Sequence, residues 1–258
     1  MLHVPFSANL TELVSSSALQ EFATISSPPS TDSRLVSARF GEANHAYECR
    51  ASESRPVVLP GGKFANEQNG AALSLWFRAT GQATGEQGTL LTYPALTTAV
   101  TNNVGSPDED PTVGGGGTPL VPMIRLRLYD RMVRAELGLN NGASTALQSP
   151  AMNILDDNWH HVVVEISGGA VKTARLFVDG SAAATTNLPE SAGLGSDGDS
   201  ATRGTICDPA TADIGTQLAG AVDDIRFFQW TQTQFDSTQR VLTDAEIAAL
   251  YHEGYWPP

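Results

Sequence analysis

Residues 124–129 read IRLRLY, and this strict alternation of apolar and charged residues constrains the chain more than any other feature. Successive side chains on a strand point to opposite faces. Ile124, Leu126 and Leu128 therefore share one side while Arg125 and Arg127 take the other. That is the pattern of an antiparallel strand with one face on a core. Segments that read as strands recur at 34–40, 71–78, 123–129, 132–139, 159–166, 174–178 and 221–228. Gly61-Gly62, Asn69-Gly70, Asn141-Gly142 and Asp179-Gly180 supply residue types that reach the positive φ of tight turns.

The remaining sequence agrees with an all-β reading. A chain of 258 residues with 24 Gly and 15 Pro suits short strands joined by turns better than helices. Two stretches, 102–119 and 189–208, are long, polar and Gly-rich, as functional loops often are. No repeat or linker divides the chain, so residues 1–258 read as one domain. One helix is predicted near the carboxy terminus, in VLTDAEIAALYHEGYW. Thr243 and Glu246 form a capping box, Ile247, Leu250 and Tyr251 an apolar stripe, and Gly254 the stop.

Charge narrows the partners. The formal net charge of −13 repels phosphate backbones and anionic bilayers, so neither nucleic acid nor a membrane surface is expected to bind. No apolar stretch approaches the ~20 residues that span a bilayer. The first residues, MLHVPFSANLTELVSSS, lack a cationic n-region and an unbroken apolar core, so they do not read as a signal peptide. Either a leader has been trimmed or the protein reaches its place of work by another route. Cys49 and Cys207 belong to no CxxC motif. Free thiols are the plainer reading and a long-range disulfide the alternative.

LDDNWHHVVVEI, residues 155–166, looks most like chemistry. Yet adjacent residues on a strand face opposite ways, so His160 and His161 cannot ligate one metal as an i, i+4 helical pair does. The structural reading has each imidazole bonding a neighbouring strand or loop. Asp156, Asp157 and Asn158 then form the preceding turn.

Several segments together resemble the laminin-G-like or concanavalin A-like jelly rolls. HVPFSANLTE is similar to the family's opening strand and turn, and ARFG followed by VVLPGGKF to its next segment. ALSLWFRAT, LDDNWHHVVVEI, ARLFVDGS, LAGAVDDIRFF and LTDAEIAALYHEG match further family segments in the same order along the chain. The resemblance implies an antiparallel two-sheet jelly-roll β-sandwich with one short carboxy-terminal helix. It also implies one structural calcium, with Asp223 as side-chain ligand and backbone oxygens near Asn9 or Glu12; the alternative is that Asp223 bonds backbone amides at a strand crossing. Asp197 and Asp199, in GSDGDS, look like the beginning of a second calcium loop, with a solvated loop as the alternative.

Function is less constrained than fold. Sugar-cleaving members of the superfamily carry E-x-D-x-x-E on one strand, and no segment here has that spacing. Asp108, Glu109 and Asp110 form a contiguous run suited to a loop, and no G-x-S-x-G elbow occurs. No enzyme is expected. Tyr129, Trp230 and Trp256 are the aromatics available to stack on sugar rings, with packing against the fold as the plainer reading of each. The leading expectation is a non-enzymatic, homo-oligomeric attachment module on a particle surface, such as a bacteriophage virion decoration or tail-appendage protein. Its partners would be capsid proteins and glycans. The alternatives are a secreted or cell-surface lectin and a divergent glycoside hydrolase.

Overall fold

The computed structural model describes residues 35–41, 43, 46–49, 70–81, 86–93, 124–139, 144–167, 172–189, 204–207, 218–229 and 242–252, together with short strands at 2–4, 13–14 and 57–58. The strands are, in order, β1 (Leu2–Val4), β2 (Leu13–Val14), β3 (Leu35–Val36), β4 (Ala46–Cys49), β5 (Val57–Val58), β6 (Gly70–Thr80), β7 (Glu86–Tyr93) and β8 (Ile124–Tyr129). They continue with β9 (Met132–Gly138), β10 (Ser144–Gln148), β11 (Asp156–Ser167), β12 (Lys172–Val178), β13 (Ser181–Leu188), β14 (Thr205–Ile206) and β15 (Gly220–Gln229). One helix follows, α1 (Asp244–His252).

These strands form two antiparallel sheets. The larger runs β13-β12-β11-β6-β15-β1-β2, with β4 also paired to β15 and β3 to β4. The smaller runs β10-β9-β8-β7-β14-β5. Their inner faces meet in one core. Leu73, Leu75 and Phe77 of β6, Val162 and Val164 of β11, and Leu176 of β12 face Leu126 and Leu128 of β8 and Val133 and Ala135 of β9. Each buried Leu, Val or Phe side chain here contributes ~1.5–3 kcal/mol. The jelly-roll sandwich expected from the sequence is the fold observed.

Three local expectations need correction. The segment 34–40 is a strand only over Leu35–Val36. Gly41 N–H then donates to Ala38 O at 3.0 Å, because Gly41 takes a φ of +84° and closes a turn. Asp156, Asp157 and Asn158 lie within β11 rather than ahead of it, and make the expected turn as a bulge there, with Asp156 Oδ1 accepting Asn158 N–H at 2.9 Å. The register slips between Asp156 and Trp159, and Asp157 adopts a φ of +64°. The cysteines are bonded, not free: Cys49 on β4 and Cys207 just after β14 form a disulfide with Cα atoms 5.3 Å apart. It ties the larger sheet to the smaller across 158 residues of chain. Spacing alone cannot show this, because only the stacking of the sheets brings the two residues together.

The predicted helix stands, with its box formed. Glu246 N–H donates to Thr243 Oγ1 at 3.2 Å, and Thr243 N–H donates back to Glu246 Oε2 at 2.7 Å. Ile247 and Leu250 pack on Ala72, Val163 and Phe177, on the outer face of the larger sheet. Buried Glu165 fixes the entry to the helix. It accepts Leu242 N–H at 2.6 Å and Arg175 Nε–H at 2.8 Å, while Arg175 also donates to Leu242 O and Asp244. Burial raises the Glu165 carboxyl pKa, and Arg175 opposes that rise.

Candidate functional site

Beyond the helix, the outer face of the larger sheet carries a packed polar and aromatic cluster. Even-numbered residues of β6 point here, so Ser74, Trp76 and Arg78 stand beside His161 of β11 and the β15 bulge. Ser74 Oγ and His161 Nε2 share a hydrogen bond of 2.8 Å, and both residues are buried. A serine beside a histidine raises the question of a nucleophile and base. The geometry argues against it. Neither group reaches solvent, and His161 Nδ1 has no hydrogen-bond partner among the described residues, so no carboxylate orients the ring. Burial first, then the charge of Arg39, holds the imidazole neutral with a pKa of about 3. Trp76 lies against the ring at 4.9 Å and stacks on Tyr251 of α1 at 5.6 Å, closing the cluster.

His160 faces the other way. Its Nδ1 lies 2.9 Å from Asp179 Oδ2 and its Nε2 3.1 Å from Asp156 Oδ1. Bonding two carboxylates requires both nitrogens to donate, which is the charged ring. Burial works against that charge, but hydrogen bonds and charges from Asp179 and Asp156 outweigh it and raise the pKa. Asp179 also accepts His161 N–H through Oδ1 at 2.9 Å. With φ of +50° and +73°, Asp179 and Gly180 make the β12–β13 turn predicted from their sequence. A Cβ on Gly180 would meet Tyr251 at 3.1 Å, so this turn also seats the end of the helix.

Asp223 sits at the β15 bulge, where the register shifts before Arg226. Burial, then repulsion from Asp224, pushes its pKa up to about 7, against the charge of Arg39. Asp224 is committed elsewhere, to Arg39 at 2.9 Å and to both Nε and Nη2 of Arg226 at 2.9 and 2.7 Å. The Asp223 carboxylate accepts backbone N–H groups of Arg39 and Asp224, which is the alternative to its serving as a calcium ligand. β1 pairs Val4 with Ile225, which brings the amino-terminal chain close to it. Calcium there would supply a crosslink rather than chemistry. Asn9 and Glu12 lie outside the described residues, and no group of three His, Cys, Asp or Glu gathers among those described.

The outer face of the smaller sheet is different in kind. Because β8 alternates, Arg125, Arg127 and Tyr129 all point away from the core. Asp130 and Arg131, with φ of +48° and +63°, join β8 to β9 in two residues. That turn sets the register: Arg127 stands directly opposite Arg134, and Arg125 opposite Glu136. Glu136 pairs with all three arginines, with Arg125 Nη1 at 3.5 Å, with Arg134 Nε at 3.1 Å and with Arg127 through Nη2. The next strands add Thr89 opposite Arg127, Thr92 opposite Arg125, and Thr205 opposite Thr92.

Of the residues singled out by sequence, the structure thus places Asp223 on one sheet and Tyr129 on the other, and does not bring them together. Asp197, Asp199, Trp230 and Trp256 lie outside the described residues, as do Asp108, Glu109, Asp110, Gly254 and most of the two long loops. Arg134 and Glu136 were missed as site residues. Their signal was the two-residue gap between IRLRLY and MVRAELG, which places them opposite the arginines already assigned to the outward face.

The sequence profile described as the concanavalin A-like lectin/glucanases superfamily matches residues 52–236. Comparison with curated proteins finds no match. Among solved structures, the binding domain of paraclostridial mosquitocidal protein 1 is similar at a TM-score of 0.53 and 12% identity, over 84% of this chain and 44% of that one. The binding domain of botulinum neurotoxin serotype G is similar at a TM-score of 0.53 and 11% identity, over 82% and 43%. The chain spans less than half the length of these two relatives. Residue pattern, sheet topology and profile agree: this chain belongs to the concanavalin A-like lectin/glucanases superfamily.

Proposed function

We propose that the chain is a non-catalytic attachment module that binds a glycan on the outer face of the smaller sheet, at Tyr129 and the neighbouring arginines. The observation that carries this reading is the contrast between the two outer faces. Over β6 and β11 the outer face of the larger sheet is covered by α1 and by polar groups paired with one another, whereas on β8 and β9 of the smaller sheet Arg125, Arg127, Tyr129, Arg134 and Glu136 are only partly buried. Sugar-binding surfaces combine a few placed polar groups with an aromatic face. The two similar solved structures are themselves named as binding domains, which accords with this.

Two further points support the reading. Glycoside hydrolysis needs a pair of carboxyl groups flanking the bond. Among the described side chains of this face, Glu136 is the one carboxylate, and three arginines engage it. The disulfide suits an oxidising compartment, hence work outside the cytosol. The finer form of the proposal places the module on a virion as a decoration or tail-appendage protein, with a secreted or cell-surface lectin as the other setting. Homo-oligomerisation would multiply weak sites.

A glycan array with the purified chain tests the binding role, with Tyr129→Ala expected to weaken binding about tenfold. Turnover of a polysaccharide would overturn the non-catalytic reading, and an array with no bound glycan would overturn the binding role. Co-purification with capsids separates the virion setting from the lectin setting.

A further inference from the structure

We propose that Trp159, Arg78 and Asp157, at one end of the outer face of the larger sheet, form a second carbohydrate site, one that takes a neutral sugar ring. It lies on the opposite sheet from Tyr129 and does not rest on the site proposed there.

The sheet sets the position. Trp159 of β11 stands directly opposite Arg78 of β6, on the outward side. The cover over this face stops short of them. Trp76 is 7% exposed beneath Tyr251, whereas two residues further along β6 the Arg78 side chain is 30% exposed, and that of Asp157 is 67% exposed. Arg78 Cζ lies 5.4 Å from the centre of the Trp159 ring, so a cation and an aromatic surface meet at one partly open place.

The bulge supplies an acid. Asp156 pairs with Thr80 and Trp159 with Arg78, so Asp157 and Asn158 together face Ala79 alone. The extra residue brings the Asp157 carboxylate to Arg78, with Oδ1 3.5 Å from Nε. Bulges re-aim side chains in this way and are common beside functional sites. Asp157 holds a φ of +64°, a conformation that glycine adopts more readily.

Stability gains little from the arrangement. Asp157 and Arg78 are in ionic contact but not hydrogen-bonded, and Arg78 Nε finds no hydrogen-bond partner among the described residues. An exposed ion pair of this kind stabilises weakly, and the left-handed backbone of Asp157 works against it. Backbone strain that sets an acid beside an arginine without bonding it is a local conflict of the kind found where function is served.

The chemistry of the three groups names the ligand. Trp159 offers an aromatic surface to the C–H face of a sugar ring. Arg78 donates to hydroxyl oxygens, and Asp157 accepts from hydroxyl hydrogens. Adjacent sugar hydroxyls both donate and accept, so a donor and an acceptor side by side suit them. The charges of Arg78 and Asp157 cancel, and the formal net charge of −13 disfavours an anion.

The test uses the full chain with neutral oligosaccharides of glucose, galactose and mannose, and with carboxylated oligosaccharides of the same size. Tryptophan is replaced by 5-fluorotryptophan, and the Trp159 fluorine resonance is identified by its loss in Trp159→Phe. At least one neutral oligosaccharide should shift that resonance to saturation, and Asp157→Gly should weaken this binding about tenfold. The same variant should melt close to the wild-type temperature, because relief of the left-handed backbone offsets the loss of a weak ion pair. Arg78→Lys, which keeps the charge but loses the fork, should also weaken binding. Reduced binding by Asp157→Gly that merely follows a large fall in melting temperature would make the trio structural and overturn the site. Binding that is lost in Tyr129→Ala, with no shift at Trp159 and no effect of Asp157→Gly, would overturn this site and leave the other standing. Carboxylated oligosaccharides that shift Trp159 in preference to neutral ones would overturn the neutral class. No oligosaccharide of either kind bound overturns both sites.

Discussion

His160 and Asp179 meet across the β11–β12 pair, with His160 Nδ1 2.9 Å from Asp179 Oδ2, and the other oxygen of the same carboxylate receives His161 N–H. Two adjacent histidines thus lean on one turn residue, one through its ring and the other through its backbone. His160 then reaches Asp156 with its second nitrogen, at 3.1 Å. This assembly anchors a strand and leaves no ring nitrogen of His160 available for chemistry.

The charged state of His160 makes stability depend on pH. Its folded pKa is raised above 6.5, so its contribution is full below 6.5 and is lost as pH rises through the folded value. Asp156 is depressed from 3.8 to about 2, chiefly by hydrogen bonding from Asn158, so its contribution is present above 3.8 and lost as pH falls through about 2. Both are fully in place between about 4 and 6.5. Denaturant melts across pH should show His160→Gln costing ~1–3 kcal/mol at pH 6 and less at pH 9. An equal loss at both values would remove the charged-ring account.

Asp223 offers a sharper choice. With no cation, its carboxyl is ionised at a cost once pH passes about 7, so its raised pKa favours the folded state below 3.8 and that advantage is lost as pH rises through about 7. Asp223→Asn should then raise the melting temperature at pH 8 and flatten the profile between pH 4 and 8. If calcium binds there, the same substitution should lower the melting temperature in calcium and abolish its sensitivity to a chelator. Unchanged melting of the wild type after chelation would dismiss the ion.

The Cys49–Cys207 bond joins the sheets through a long loop, a geometry in which a crosslink restricts the unfolded chain strongly. Reduction, or Cys49→Ser with Cys207→Ser, should lower stability by about 2–5 kcal/mol. Mass spectrometry of the non-reduced digest should recover the linked peptides; free thiols at both positions would contradict the pairing.

How much of this was legible beforehand depended on whether the signal was local. Alternation in β8 and β9 reported those strands because a half-buried face imposes a period of two on the chain itself, whereas β6, β11 and β15, buried on both faces, were legible as short runs rich in apolar residues. The capping box at Thr243 and Glu246 was legible because its partners are three residues apart. The bulges at Asp156 and Asp223 were not, since a bulge is defined against a neighbouring strand that the local sequence does not reveal. Gly220 shows the same limit. Its hydrogen stands where a Cβ would lie 1.9 Å from Arg78 O, a constraint that exists only once β15 lies on β6.

The sequence by itself therefore determined the fold class, the two-faced strands, the helix with its cap, and the outward direction of Arg125 and Arg127. The tertiary structure decided which side chains come together on each outward face. It placed α1 over Ala72, Val163 and Phe177, buried Ser74 with His161, joined Cys49 to Cys207, and set Arg134 and Glu136 against the β8 arginines. The physical reason is range. Periodicity and capping act within a few residues, whereas burial and charge balance are set by elements far apart in the chain.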